Sequence, residues 1–220
     1  MGSEMCIRDS ASTEAVRETA GEVLKYKGNI VTTYYYSTSC GKTTTMKAWG
    51  TSENESNGYL QSVEVKDKNG DYEKSLPWYR WKADIDQDIL STLLAENVKK
   101  NIGTVQSLEV TKTGPGGVAL QIKAVGDKGS ITVDTENKIR KALGGNGYEI
   151  KKQDGTVAQS GTLLPSAFFK VKKAGNIFKI IGGGYGHGIG MSQNGANEMA
   201  NLLFREGKIC LLYTSDAADD

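Results

Sequence analysis

Six of the nine residues from Gly182 to Gly190 are glycine, and Tyr185, His187 and Ile189 fill the other places. No helix or strand interior tolerates that density, because each glycine loses more backbone freedom on ordering than any other residue. Such a run belongs where the chain needs positive φ or a very close approach to another group. Residues 177–181 ahead of it are apolar apart from Lys179 and read as a strand. Residues 193–204 after it read as a helix capped by Ser192, with Ala196, Met199, Ala200 and Leu203 on its inner side. A glycine loop that feeds a helix start offers backbone N–H groups to an acceptor, so a polar ligand is expected at this loop.

A second polar loop, residues 37–45, is dense in hydroxyls and holds Cys40. Neither loop is a phosphate loop. The glycine run lacks a Walker lysine, and residues 184–190 match a dinucleotide fingerprint only loosely, with no acidic residue at the required distance in a βαβ context. Cys40 and His187 have the chemistry of a nucleophile and its base, whereas a lone cysteine is more often a small buried hydrophobe. His187, the single histidine, reads either as a ligand-facing group or as a ring whose nitrogens pin the loop; the surrounding glycines favour the first. Tyr34, Tyr35 and Tyr36 could stack on sugar rings. Alternating aromatics in a strand more often serve core and cross-strand pairs, so at most one face of that strand meets a ligand.

Lys and Arg number 27 against 26 Asp and Glu, a net charge of +1 over 220 residues. That balance argues against electrostatic capture of nucleic acid or an anionic membrane as the main activity. No apolar run approaches the length of a membrane span. The two ends read as foreign. Residues 5–10 and 210–215 can be encoded by DNA strings that are reverse complements apart from end bases, and those strings resemble a transposase-based sequencing adapter. Residues 1–10 and 210–220 are therefore expected to be adapter read-through flanking a partial domain at 11–209. Of Cys6, Cys40 and Cys210, that leaves Cys40 as the native one, too few for a disulfide framework or a zinc quartet.

Between the ends the pattern predicts an α+β chain of mainly antiparallel sheets and hairpins with a few short helices. Ser12 or Thr13 caps a helix through Ala20, and Lys27-Gly28-Asn29 turns a hairpin between residues 23–26 and 30–36. Residues 63–65 and 78–81 are strand candidates, and Asp84 opens a helix carrying Ile85, Ile89 and Leu93 at helical spacing. Residues 108–111 and 118–125 form a hairpin around Gly114-Pro115-Gly116-Gly117, and residues 130–133 a further strand. Asp134 or Thr135 caps a helix through Leu143 to Gly144, and strands follow at 148–150, 167–171 and 178–181.

Three blocks together resemble the stage II sporulation protein D family, which includes the amidase enhancers. The first runs from Ala15-Val16-Arg17-Glu18-Thr19-Ala20-Gly21-Glu22-Val23-Leu24 through Tyr34-Tyr35-Tyr36-Ser37-Thr38-Ser39-Cys40-Gly41-Lys42-Thr43 to Trp49-Gly50. The second is Ile139-Arg140-Lys141-Ala142-Leu143 with Leu164-Pro165-Ser166-Ala167-Phe168. The third and most specific is Gly184-Tyr185-Gly186-His187-Gly188-Ile189-Gly190-Met191-Ser192-Gln193-Asn194-Gly195-Ala196.

The resemblance implies an extracytoplasmic protein, secreted or anchored at the cell wall, that acts on peptidoglycan. Its partners would be glycan strands stripped of stem peptides and a cell-wall amidase, with no nucleic acid. Some members are lytic transglycosylases, in which one carboxyl protonates the glycosidic oxygen and then acts as base while the sugar's 6-hydroxyl closes an anhydro ring. No second carboxylate is needed, unlike ordinary glycoside hydrolysis. The family places that glutamate upstream of the position of Ser12, beside a His/Cys segment that some members use for zinc. This chain holds neither, so the catalytic residue is unknown within it, no cofactor is expected, and Cys40 is at most a leftover ligand. Glu14, Glu18, Glu22, Glu53 and Glu55 lack the apolar surroundings that would raise a pKa. Substrate-side roles fall to Tyr185, Gly186, His187, Gly188, Gly190, Ser192 and Gln193, with Ser37, Thr38, Ser39 and Thr43 as the facing wall. The two loops should therefore adjoin in space. A non-catalytic wall-binding enhancer of an amidase is the alternative.

Overall fold

The computed structural model describes residues 13–205. The adapter-like ends and the Ser12 cap lie outside the described residues. Residues 34–198 form one compact unit, and residues 13–33 and 199–205 belong to another. The architecture is α+β: a few helices among small, mainly antiparallel sheets.

In the smaller unit, residues 13–18 are helical. Strands β1 (Lys25–Tyr26) and β2 (Asn29–Ile30) pair across Lys27 and Gly28, whose φ values of 50° and 82° suit a two-residue hairpin turn. The expected return strand stops at Ile30. Strand β3 (Tyr35–Tyr36) belongs to the larger unit and pairs elsewhere.

The larger unit continues with a small hairpin, β4 (Lys66–Asp67) and β5 (Gly70–Asp71). The stretch around Asp84 then departs from expectation. Residues 81–86 form strand β6 (Trp81–Asp86), with Trp81, Ala83 and Ile85 buried on one face and Lys82 and Asp84 on the other. A six-residue segment satisfies period two and period 3.6 almost equally, and pairing on both sides selects the strand. Helix α1 (Gln87–Val98) starts after it, capped by Asp86, whose carboxylate accepts from the Asp88 N–H at 2.8 Å. Trp78 sits in a 3₁₀ turn, Pro77–Tyr79, rather than a strand, and Pro77 has no N–H for a ladder.

Strands β7 (Val105–Thr113), β8 (Ala119–Gly126) and β9 (Gly129–Asp134) form a three-stranded meander, the predicted hairpin plus its third strand. Helix α2 (Glu136–Leu143) ends at Gly144 as expected, the Gly144 N–H closing on the Lys141 carbonyl. Thr135 precedes it at φ 71° but makes no side-chain cap bond. Strands β10 (Glu149–Lys152), β11 (Val157–Gln159), β12 (Phe169–Ala174) and β13 (Ile177–Gly182) join β6 in a five-stranded antiparallel sheet ordered β11-β10-β6-β13-β12. Strand β14 (Met191–Ser192) pairs in parallel with β3 and leads into helix α3 (Gln193–Arg205). The first turn of α3 buries Gly195, whereas Met199, expected inward, is exposed.

The core lies where Trp81, Ile85, Phe178 and Ile180 of the large sheet join Leu90 and Leu94 of α1, Ile139 and Leu143 of α2, and Ile122 of β8. Each such side chain contributes about 1.5–3 kcal/mol on burial. Trp81 also ties this core to the glycine loop, donating from its indole N–H to the Gly184 carbonyl at 3.0 Å.

Candidate functional site

The two polar loops are joined along their length. The Thr38 N–H donates to the Tyr185 carbonyl at 3.1 Å and the Tyr185 N–H returns to Thr38 at 2.8 Å. Further on, the Thr44 N–H donates to the Gly188 carbonyl at 2.7 Å, and β3 and β14 pair Tyr35 with Met191 and Tyr36 with Ser192. The predicted adjacency of the loops is thus present. Its reason lies partly in the glycines. A Cβ on Gly190, which has φ 79°, would stand 2.1 Å from the Tyr34 carbonyl oxygen, and one on Gly186 2.7 Å from the Tyr36 Cβ. The close approach these glycines allow is to the tyrosine strand.

The backbone donors of the glycine loop are largely engaged within the protein. The N–H groups of Gly183, Gly184 and Gly186 donate to the carbonyls of Phe168, Trp78 and Pro165, and that of Met191 to Tyr34. At the start of α3, the Asn194 N–H meets the Ser37 carbonyl and the Gly195 N–H the Ser192 hydroxyl.

Beneath the junction lies a carboxyl that carried no signal in the sequence, Glu73, which is fully buried. Its Oε1 accepts from the Ser39 N–H at 2.9 Å and from the Ser192 hydroxyl at 2.7 Å, while its Oε2 contacts the Ser39 hydroxyl. One side chain thus ties both loops to the segment after β5. Burial pushes the Glu73 carboxyl above the usual carboxylate range, against the lowering effect of these hydrogen bonds. Next to it, Tyr79 donates from its hydroxyl to Asp71, and Arg80 bridges the Cys40 carbonyl at 3.0 Å and the Tyr79 hydroxyl at 3.1 Å. Burial likewise raises the Cys40 thiol, partly offset by Arg80.

His187 pins the loop. Its Nδ1 accepts from the Ile189 N–H at 3.1 Å and its Nε2 faces the Tyr35 carbonyl at 3.0 Å. That pattern fits the neutral ring with the proton on Nε2, and burial lowers its pKa accordingly. With both nitrogens engaged by backbone, His187 serves neither as base to Cys40 nor as a metal ligand. Among the described residues no three His, Cys, Asp or Glu side chains converge as a metal would require.

The His187 ring still has a face to offer. It lies 5.0 Å from the Trp49 ring and 5.6 Å from Tyr36, and Trp49 in turn meets Tyr34 edge-on at 5.2 Å. His187 and Trp49 line a shallow depression of about 420 Å³ whose other wall is the head of α2, Thr135 to Lys138 with Arg140. Under that wall, Glu136 is buried in an ion pair with Arg140 at 2.8 Å and accepts from the Trp49 indole at 3.3 Å. A second aromatic pair, Trp78 and the exposed Tyr185, meets at 4.8 Å with the rings tilted 48°, and the Lys152 ammonium lies 5.1 Å from the Trp78 ring.

Residues 45–190, which include the five-stranded sheet and the glycine loop, match a family model described as a domain of unknown function, DUF8618. The chain belongs to that family. Relatives of this DUF8618 chain include the stage II sporulation protein D of Bacillus subtilis (strain 168), 30% identical over 196 residues, which cover 89% of this chain and 46% of that protein. The amidase enhancer of the same strain is 26% identical over 217 residues, covering 87% of this chain and 30% of that protein. The stage II sporulation protein D of Bacillus amyloliquefaciens is 28% identical, with 86% of this chain and 44% of that protein covered. These relatives bear the names that the three sequence blocks suggested. The chain spans less than half the length of each.

Within this family member, the structure sorts the predicted site residues by exposure. Thr38, Ser39, Thr43 and Ser192 are buried, as is Gly188. Thr38, Ser39 and Ser192 form hydrogen bonds inside the junction, Thr38 Oγ1 accepting from the Asn194 amide at 2.8 Å, whereas Thr43 Oγ1 accepts from the Val63 N–H at 2.8 Å and ties the first loop to the segment before β4. They are knots between loops rather than an open wall. Tyr185 and Gln193 are exposed, and Ser37, Gly186, His187 and Gly190 are half-buried. Trp49 and Trp78, read from the sequence only as block marker and strand, are the accessible aromatics beside them. The cluster Trp78-Tyr79-Arg80-Trp81 was the available signal for Trp78; a solitary Glu73 in a polar stretch offered none.

Proposed function

We propose that this domain grips the glycan strands of the bacterial cell wall, in a parent protein that cleaves them by lytic transglycosylation outside the cytoplasm. The observation that carries the reading is the aromatic surface on the joined loops. Tyr185 with Trp78, and His187 with Trp49, present flat rings beside polar groups, the composition that sugar rings with their apolar faces and hydroxyl edges require. The relatives named for sporulation and for amidase enhancement support a wall-related role.

The chemistry needs one carboxyl that is first acid and then base. Glu73 has a raised pKa suited to an acid, but no solvent reaches it and its oxygens are occupied by Ser39 and Ser192. Glu73 is therefore given no part in that chemistry, and this domain is assigned to holding the strand. The relative named amidase enhancer favours a second reading, in which the domain binds glycan and stimulates an amidase without cutting.

Full-length parent protein incubated with peptide-stripped glycan strands separates the two. Mass spectrometry should find anhydromuramyl ends. Uncut strands that still retain the protein would favour the enhancer reading, and strands neither cut nor bound would reject both.

A further inference from the structure

The five-stranded sheet turns one face to the core and leaves the other to solvent, and that open face is lysine-rich. Register places Lys151 of β10 directly opposite Lys82 of β6, and Lys172 of β12 directly opposite Lys179 of β13. Ile181 of β13 lies between Lys82 and Lys170 in the same row. All five lysines are exposed, as is Ile181. Like charges directly opposite each other across strands weaken a sheet. The ion pairs among the described residues lie elsewhere, at Lys42–Glu64–Lys66, Lys47–Glu53 and Glu136–Arg140.

The carboxylates on the face are fewer. Asp84 stands opposite Lys179, Glu149 accepts from the Gln159 amide at 2.9 Å, and Asp86 at the strand end caps α1. Lysines on edge strands commonly guard against sheet-to-sheet aggregation. That purpose does not explain Lys82, on the middle strand, or Lys179, on an inner one. Near-neutral total charge conceals this local excess.

We infer that the open face of the five-stranded sheet is a docking surface for an anionic lipid bilayer. The lysines spread over four adjacent strands about 4.8 Å apart, a two-dimensional array that matches a plane of phosphate headgroups better than a single linear polyanion tracking one groove. Ile181, exposed at 52%, supplies an apolar contact at the centre of the array.

The test is co-sedimentation of the full chain at low salt with vesicles of phosphatidylcholine mixed with phosphatidylglycerol, and with phosphatidylcholine alone. The chain should bind the mixed vesicles only, and added salt should release it. Lys82→Ala with Lys179→Ala should weaken binding by roughly 25-fold, at about fivefold per lysine near a charged surface. Because those positions lie inside the sheet, Lys170→Ala with Lys172→Ala on the edge strand provides a second variant, with far-UV circular dichroism confirming the fold of each. Lys112→Ala with Lys123→Ala, on the three-stranded sheet, should leave binding unchanged. Absence of binding to mixed vesicles, equal binding to both vesicle types, or equal loss in the Lys112/Lys123 variant would overturn the inference. So would capture of soluble polyphosphate by the chain without any vesicle binding.

Discussion

Glu73 holds a carboxyl that no solvent reaches, with a backbone N–H and two hydroxyls converging on it from both polar loops. Replacing it by alanine leaves those donors facing a void, and an unsatisfied buried donor costs about 1–3 kcal/mol. Glu73→Ala should therefore lose roughly 2–4 kcal/mol in urea unfolding. The pH dependence follows from the raised native pKa. A carboxyl that holds its proton more tightly when folded stabilises fully below its ordinary value of 4.5, and that contribution is lost as pH rises through the native value. The melting temperature should then fall more steeply above pH 4.5 in the natural chain than in Glu73→Gln. Equal slopes in the two proteins would remove Glu73 from the account. His187 works in the opposite sense: its lowered pKa makes protonation below 6.5 unfavourable to the fold, so the comparison with Glu73→Gln is needed to isolate the carboxyl.

The glycine loop and the tyrosine strand act as one element, and two glycine substitutions separate packing from backbone strain. Gly190 has φ 79° and a Tyr34 carbonyl 2.1 Å from where a Cβ would sit, whereas Gly155 has φ 86° and nothing within 4 Å. Gly155→Ala should cost about 1–2 kcal/mol, the usual penalty of the left-handed conformation. Gly190→Ala adds a backbone collision and should cost at least about 3 kcal/mol. Hydrogen exchange should show why: the Thr44 amide, bonded to Gly188, loses protection in Gly190→Ala and keeps it in Gly155→Ala. Comparable stability losses in the two variants would mean that the close approach is not what the glycine supplies. Element boundaries also show a limit of local reading. Residues 81–86 carry an alternation that fits a strand and a spacing that fits a helix, and only the strands on either side, β10 and β13, settle the matter.

At the scale of the whole molecule, stability is unevenly distributed. Of the described residues before Tyr34, nearly all are exposed, and the backbone bonds that join them to one another are one short hairpin and local turns. Residues 34–198 carry the buried cluster. Segments with few buried contacts open first. Limited trypsin digestion should therefore cut at Arg17, Lys25 and Lys27 before any site in the sheets of the larger unit, and mass spectrometry should recover a persistent fragment starting at Gly28. Early cleavage at Lys82 or Lys179 would contradict this order.

The amino-acid sequence alone determined the class of fold, the hairpin and third strand that make up the meander, helix α2 with its stop at Gly144, and the likeness to the sporulation protein D relatives, because periodicity, turn residues and motif blocks are local properties. It also brought the two polar loops together, through block resemblance. Tertiary structure alone decided what those loops do to each other. Whether a glycine's freedom is used for a ligand or for a neighbouring strand depends on which backbone lies 2.1 Å from Gly190. Whether a serine lines a cleft or ties a knot depends on a carboxylate 34 residues from Ser39 and 119 from Ser192. Contacts at such separations leave no periodic trace along the chain, and burial, the property that sets Glu73 apart, exists only once the chain is folded.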